Sequence, residues 1–182
     1  MDIEEYRKQF IDELRFNAEH EGTEPEIQFI EKSLSDLEEI GELNDPIPMS
    51  VEMRGSRNRL LAFDAYAYDE ADGALILIAS DFTNERDSAP TLTNSRIEDI
   101  YTHMLNFLDE CVQGNISKYC DDSDPALIIA NEFRKKIGKG MLSTEILRFK
   151  FFILSNATLS KQVKNLSKPE FLSRPVELNE WT

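Results

Sequence analysis

Two apolar, β-prone runs joined by a short acidic turn constrain the fold of this chain more than any other feature. The runs cover residues 60–68 and 74–82, and Asp69-Glu70-Ala71-Asp72-Gly73 lies between them. A connection of about five residues that ends in Gly is a common hairpin length. The sequence therefore predicts a central β-hairpin against which the other elements pack.

Each strand of this hairpin carries one carboxylate in or beside an apolar run. Asp64 lies between Phe63 and Ala65, and Asp81 follows five residues that carry no charge. Charged side chains are rarely buried unless they are paired or bind a metal. Both acids lie far from the turn along their strands, so we expect them to meet at one end of the sheet.

Two interpretations of these acids are open at the level of sequence. Carboxylates from neighbouring strands are hard oxygen ligands that suit Mg²⁺ or Mn²⁺, and Glu38, beside the apolar face of a predicted helix, is a candidate third ligand. Alternatively, Asp64 faces solvent, Asp81 only ends its strand, and Glu38 belongs to a solvated helix face. Strand alternation places Asp64 on one face together with Ala62 and Tyr66.

Length and composition predict one domain over residues 1–182. No run approaches the roughly 18 apolar residues of a membrane span, so no membrane contact is expected. The acidic N-terminus differs from a secretory leader, and Cys111 and Cys120 fit no disulfide framework or metal spacing, which favours a cytoplasmic location. His20 and His103 are too far apart in sequence to indicate a zinc site or a catalytic triad.

The net charge of −15 argues against a domain that coats nucleic acid uniformly. The charge is unevenly distributed, however: residues 1–45 hold fifteen acids and four bases, whereas residues 133–182 hold ten bases and four acids. A basic turn carries Arg54, Arg57 and Arg59, and Arg86 follows the hairpin. These arginines are candidates for binding phosphate, and the alternative is an ordinary polar turn. The basic C-terminal third is a candidate surface for phosphate or an acidic partner, and the alternative is a pair of oppositely charged, solvated faces.

The remaining pattern predicts an α/β fold. Its central sheet is mixed, a β-meander plus further strands, and helices flank it. Caps are predicted at Ser95, which opens a capping box, and at Asp124, which precedes Pro125. Residues 145–154 predict a further strand, residues 155–165 a short helix, and residues 175–178 an edge strand.

This order of elements resembles the core of the restriction-endonuclease-like nucleases. Those enzymes carry an Asp on the second strand of the meander and an acid-x-Lys on the third, which implies catalytic roles for Asp64 and Asp81. Thr83 stands where the lysine of that pattern would lie, and Arg86 or Arg96 from the next element is a candidate replacement. The lysine positions the attacking water and offsets charge in the transition state, a role that threonine does not supply.

A second resemblance covers nearly the whole chain. The runs 63–73, 77–82 and 152–160 resemble the N-terminal domain of bacterial abortive-infection phage-resistance proteins of the AIPR type. The resemblance implies a role in phage defence, in a module that precedes a longer C-terminal region. We expect a catalytically degenerate nuclease fold that binds that C-terminal region or another protein, with nucleic acid as a further partner. The alternative is an active Mg²⁺- or Mn²⁺-dependent nuclease that uses Asp64 and Asp81.

Overall fold

The computed structural model describes residues 2–138, 145–161, 163 and 170–182. These residues form four helices and eight strands, with short 3₁₀ turns at Ser56–Asn58 and Ile116–Lys118. The helices are α1 (Ile3–Glu21), α2 (Pro25–Glu39), α3 (Asn94–Gln113) and α4 (Pro125–Ile137). The strands are β1 (Ile47–Arg54), β2 (Leu60–Asp69), β3 (Ala74–Asp81), β4 (Thr91–Leu92), β5 (Arg148–Ser155), β6 (Thr158–Leu159), β7 (Glu170–Phe171) and β8 (Arg174–Trp181).

Six of the strands form one mixed sheet in the order β1-β2-β3-β5-β8-β7. The meander β1-β2-β3 is antiparallel, whereas β3, β5 and β8 are parallel to one another. Parallel neighbours need a crossover, and α3 and α4 provide it between β3 and β5. The predicted α/β class with a mixed central sheet is confirmed, while the likeness to the nuclease order stays a prediction.

The predicted central hairpin is present as β2 and β3. Its register runs from Ala65 opposite Ile78 to Asp69 opposite Ala74. Gly73 closes the turn with φ at +60°, where a side chain would also meet Leu147 at 3.1 Å. The turn therefore requires glycine both for its backbone conformation and for space.

Apolar side chains form one cluster on each face of the sheet. Along β5, Phe149, Phe151 and Ile153 pack towards α3 and α4. Phe152 and Leu154 pack on the other face, together with side chains of α1 and α2. Burial of both faces is typical of central strands that are covered by helices on each side.

The alternation of β2 is interrupted at Asp64, which corrects the prediction that Asp64 and Tyr66 share a face. Phe63 and Tyr66 are three residues apart, yet both pack in the cluster on the α3 side. Ala65 belongs to the cluster on the α2 side. The register of β1 against β2 also shifts between Pro48 and Val51, so two residues of β1 lie opposite Asp64. Such a bulge redirects side chains, and the sequence carries no signal for it.

Two predicted local signals were wrong, and one is confirmed. Helix α3 is capped by Thr93, whose hydroxyl accepts from the Arg96 amide, and not by Ser95. Asp124 caps α4 as predicted, with its carboxylate accepting from the Ala126 amide. The predicted helix over 155–165 is wrong where the structure describes it, because β5 extends to Ser155 and β6 follows. Residues 162, 164 and 165 of that prediction lie outside the described residues.

Candidate functional site at the carboxyl ends of β3 and β5

Asp64 lies where pairing between β2 and β3 ends. The last paired residues are Ala65 and Ile78, and the next available amide, that of Ser80, donates to Asp64 Oδ2 at 2.7 Å. The carboxylate therefore replaces a strand carbonyl as the acceptor for this amide. This bond alone accounts for an acid in the middle of the strand.

The surroundings of Asp64 raise the pKa of its carboxyl group. Burial raises the pKa of Asp64, and the nearby carboxylate of Glu26 on α2 raises it further, while hydrogen bonds from Ser80 and Ser50 oppose the shift. The hydroxyl of Ser80 also donates to Glu26 Oε1 at 2.7 Å. No cation within the described ranges forms an ion pair with Asp64. The group therefore lacks the charge partner that a buried carboxylate normally needs.

Asp81, by contrast, is held by a cation and a hydroxyl. Arg96 Nε donates to its Oδ1 at 2.8 Å, and Ser155 Oγ lies 3.2 Å from its Oδ2. Arg96 reaches Asp81 because Thr93 caps α3 and fixes the first turn of the helix. Both carboxylate oxygens of Asp81 are thus engaged by α3 and by the end of β5.

The structure does not bring the two acids into one ligand set. Ser80 contacts Glu26 on α2, and Asp81, the next residue, contacts Arg96 on α3. Consecutive residues of a strand point to opposite faces, so Asp81 lies on the face away from Asp64 and Glu26. In the part of the chain that the structure describes, no group of three or more His, Cys, Asp or Glu is placed to hold a metal ion. Binding of Mg²⁺ or Mn²⁺ by Asp64 and Asp81 therefore stays a prediction.

Thr83 and Glu38 have local partners of their own. The Thr83 amide donates to Asn156 Oδ1 at 2.9 Å, and Asn156 Nδ2 donates back to the Thr83 carbonyl at 2.8 Å. This pair of bonds ties the segment after β3 to the segment after β5. Glu38 Oε1 accepts from the Asp45 amide at 3.2 Å, in the loop that precedes β1. The catalytic roles of Thr83 and Glu38 stay predictions.

The basic turn before β2 is anchored by a buried acid. Arg59 donates to Glu110 Oε1 at 2.9 Å and to Asp109 Oδ2 at 3.1 Å. Arg54 donates to the Asn58 carbonyl at 3.2 Å, and Arg57 is exposed with φ at +56°. Arg59 is thus part of the packing against α3, whereas Arg54 and Arg57 are presented to solvent.

Glu110 is the strongest electrostatic feature that the sequence analysis missed. Its side chain is fully buried and accepts from the Ser56 amide, the Ser56 hydroxyl, Asn115 and the Tyr119 hydroxyl in addition to Arg59. Burial alone would raise its pKa, but the hydrogen bonds from Ser56, Asn115 and Arg59 outweigh burial and bring the pKa to about 2. A charged residue two positions after the apolar pair Phe107-Leu108 on α3 was the available signal.

Arg86 pairs with the first helix. Its Nε lies 2.9 Å from Asp12 Oδ1 and 3.0 Å from Oδ2. This hydrogen bond lowers the pKa of Asp12. Sequence reasoning considered Arg86 as a replacement for the lysine of a nuclease, but gave no reason to pair it with α1. The roles of Ser155 and Asn156, which contact Asp81 and Thr83, were likewise missed, although Ser155 ends a strong strand and Asn156 follows it.

A separate cavity of about 260 Å³ lies at the opposite end of the hairpin. Tyr68, Asp69, Lys136 and Glu145 contribute to its lining. The Lys136 ammonium sits 4.8 Å from the centre of the Tyr68 ring and 3.5 Å from Glu145. This cavity shares no residue with Asp64, Asp81 or their partners.

None of the helices in the described part of the chain combines the length and apolar character that a membrane span needs.

Neither the curated proteins nor the solved structures contain a match to the chain. The family model of the abortive infection phage resistance protein N-terminal domain matches residues 29–182, from within α2 to the last residue. The chain therefore belongs to the family of abortive infection phage resistance protein N-terminal domains.

Proposed function

We propose that this domain is a non-catalytic binding module of a phage-defence protein, built on a degenerate nuclease-like sheet. The observation that carries the proposal is the engagement of Asp81. Arg96 pairs with one of its carboxylate oxygens, and Ser155 Oγ lies 3.2 Å from the other. The charge of Asp81 is therefore offset by an arginine on the α3 side of the sheet, and the side chain does not share a ligand position with Asp64. A nuclease needs carboxylate oxygens within about 2.0–2.6 Å of one ion.

The positions around Asp81 support the same conclusion. Thr83 occupies the place of the lysine in the nuclease pattern and is held through its backbone by Asn156. Asp64 accepts from the Ser80 amide through Oδ2 and has no ion-pair partner among the described residues. Each of these residues has a hydrogen-bond partner within the chain. The degenerate pattern is therefore compatible with a domain that has the sheet of a nuclease but does not cleave nucleic acid.

The outer surface of α1 and α2 suits a protein partner. Ile3, Tyr6 and Phe16 on α1 and Ile40, directly after α2, are more than half exposed. Fifteen acids lie in the first 45 residues, against only four bases. Apolar side chains among acidic ones favour a basic protein surface over nucleic acid, whose phosphates the acids would repel. The C-terminal region that the family resemblance implies is one such partner, and a separate protein is another.

Calorimetric titration with Mg²⁺ and with Mn²⁺ tests this function. The variants are wild type, the double variant Asp64→Ala/Asp81→Ala, and the control Glu39→Ala/Glu42→Ala, which removes the same charge from exposed positions. We expect no difference in heat between the three proteins. The same proteins are then incubated with DNA and RNA in the presence of either metal, and we expect no cleavage.

An active nuclease would give the opposite pattern. Metal binding in the micromolar-to-millimolar range that only the double variant loses, together with cleavage that depends on Asp64 and Asp81, would overturn the proposal. Loss of cleavage in Glu38→Ala or Thr83→Ala would then assign these two positions to the catalytic site. The Glu39→Ala/Glu42→Ala control separates a specific site from general attraction of cations to an acidic protein.

A further inference from the structure

Helix α1 places an arginine among backbone carbonyls that belong to two separate loops. Arg7 Nη2 donates to the Glu85 carbonyl at 2.6 Å, Nη1 to the Arg86 carbonyl at 3.1 Å, and Nε to the Asn156 carbonyl at 3.2 Å. All three nitrogens of one guanidinium group are therefore used. Only a planar group with donors on three sides can satisfy such an arrangement, which a lysine ammonium does not match.

A second arginine of α1 adds to the same set of oxygens. Arg15 donates to the Asn84 carbonyl through Nη2 and to Asn84 Oδ1 through Nε, the latter at 2.8 Å. Three consecutive backbone oxygens, those of residues 84–86, and a fourth from residue 156 thus face the helix. We call this set, the carbonyls of Asn84, Glu85, Arg86 and Asn156, the carbonyl cage.

The carbonyl cage lies at a favourable place in the fold for a ligand. Its oxygens come from the segments that follow β3 and β5, two adjacent parallel strands. In open α/β sheets, ligands bind outside the carboxyl ends of parallel strands. The two bonds between Thr83 and Asn156 hold the two segments together, so the cage does not depend on α1 for its bridging contact.

The ion pairs between α1 and the loop after β3 are exposed to water. The two pairs, Asp12 with Arg86 and Lys8 with Asp87, join side chains that are all more than a third exposed. Exposed pairs of this kind contribute little stability and weaken with salt. The buried residues of α1 are limited to Ile11, Leu14 and Ala18, and the family match begins at residue 29, beyond this helix.

From these observations we propose that the carbonyl cage is a guanidinium-binding site, filled by Arg7 in this structure and by an arginine of a protein partner when α1 is displaced. The partner's arginine would approach an acidic segment of the chain, because the first 45 residues hold fifteen acids and only four bases. The second half of this proposal rests on the proposed binding function, whereas the first half does not.

Chemical rescue tests the ligand class on the full chain. Hydrogen exchange is measured at the amides of residues 83–87 in wild type, Arg7→Ala, Arg7→Lys and the control Lys32→Ala, which removes one exposed base elsewhere on the same surface. We expect exchange to rise by about tenfold in Arg7→Ala and Arg7→Lys, as loss of charge-assisted hydrogen bonds implies, and to be unchanged in Lys32→Ala. Methylguanidinium should restore protection in Arg7→Ala, and methylammonium at the same concentration should not.

Two outcomes of the rescue would overturn the site. Equal rescue by both cations would show that only charge matters. Absence of rescue by methylguanidinium in a variant that keeps its circular dichroism spectrum would show that the oxygens accept Arg7 only as part of α1. Arg7→Lys serves as the second variant, because it retains the charge if removal of the side chain disturbs the helix.

Competition on wild type tests the displacement. Octa-arginine is titrated into the protein beside octa-lysine of the same charge, and exchange is followed at residues 3–21. We expect octa-arginine to raise exchange of α1 and octa-lysine to leave it unchanged. Equal effects of the two peptides, or no effect of either, would overturn displacement by arginine. Neither experiment depends on metal binding or cleavage, so its failure is separate from that of the proposed function.

Discussion

Glu110 and Asp64 are both acids shielded from solvent, but the pKa of one is lowered and the pKa of the other is raised. Glu110 is fully buried between α3 and the turn before β2, where five groups donate to it, and its pKa falls to about 2. Asp64, near the α2 face, receives its main hydrogen bond from one amide and has a raised pKa. At Glu110 the donors, which include the cation Arg59, outweigh burial, whereas at Asp64 burial and the nearby Glu26 outweigh the hydrogen bonds.

This contrast distinguishes a structural residue, Glu110, from a candidate site residue, Asp64. Glu110 is charged, paired with Arg59 and saturated with hydrogen bonds, which are properties of a structural anchor. Asp64 lacks a cation among the residues that the structure describes, and the negative Glu26 lies near it. Substitution of Asp64 should therefore destabilise the fold less than substitution of Glu110, because fewer contacts depend on the charge of Asp64.

The largest effect is expected for Glu110→Ala. The substitution leaves Arg59 with only the more exposed Asp109 and removes the acceptor of the Ser56 amide, Asn115 and the Tyr119 hydroxyl. Removal of one partner of a buried ion pair typically costs about 3–5 kcal/mol of unfolding free energy. Denaturant unfolding measures the loss. Asp109→Ala removes the more exposed partner of the same arginine and should cost less than about 1 kcal/mol. Similar losses in the two variants would contradict the role of burial in this comparison.

The stability contributed by Glu110 also depends on pH. Its folded pKa of about 2 lies below the ordinary value of 4.5. The contribution is therefore fully present above about pH 4.5 and is lost as the pH falls through 2. Glu110→Gln, which has no charge to lose, should show a flatter dependence of unfolding free energy on pH over this window.

An intermediate effect is expected for Arg96→Ala. Asp81 would lose its cation while keeping Ser155, and Arg96 is half exposed, so we expect a loss of about 1 kcal/mol in denaturant unfolding. The same variant sharpens the functional question, because it frees one oxygen of Asp81. If Arg96→Ala acquires Mg²⁺ binding that wild type lacks, Asp81 is part of a latent metal site that the arginine blocks.

Asp64→Asn should have a smaller effect of opposite sign. The amide oxygen still accepts from Ser80, so the substitution removes only a charge that burial disfavours. Because the folded pKa is raised, the contribution of Asp64 is present below its ordinary value of 3.8 and is lost as the pH rises through the folded pKa. The variant should therefore match wild type near pH 3 and become at least as stable near pH 7, as thermal unfolding at both pH values can show.

The smallest effect is expected for Asp12→Ala. Its partner Arg86 is exposed, and solvent and salt screen such a pair. We expect a slight loss of thermal stability at low ionic strength that disappears at high salt. A loss that persists at high salt would mean that α1 depends on this pair more than its exposure implies.

Strand and helix positions followed from local patterns. The hairpin was predictable because alternating and continuous apolar runs with a terminal Gly73 specify strands and a tight turn through neighbouring residues alone. The cap at Asp124 was predictable for the same reason, since its bond closes within two residues. Ser95 was the wrong cap because Thr93, two residues earlier, competes for the same role, and a single sequence does not rank them.

The sequence by itself determined the α/β class, the position of the hairpin and the acidic character of the first two helices, because periodicity and charge are properties of nearby residues. Only the tertiary structure decided what each acid does. Examples are the bulge of β1 opposite Asp64, the ion pair of Arg96 with Asp81 and the five donors around Glu110. The contact between Ser155 and Asp81 joins residues that are 74 positions apart. A carboxylate takes its role from its neighbours in space, and these neighbours are set by the packing of the whole sheet between its helices.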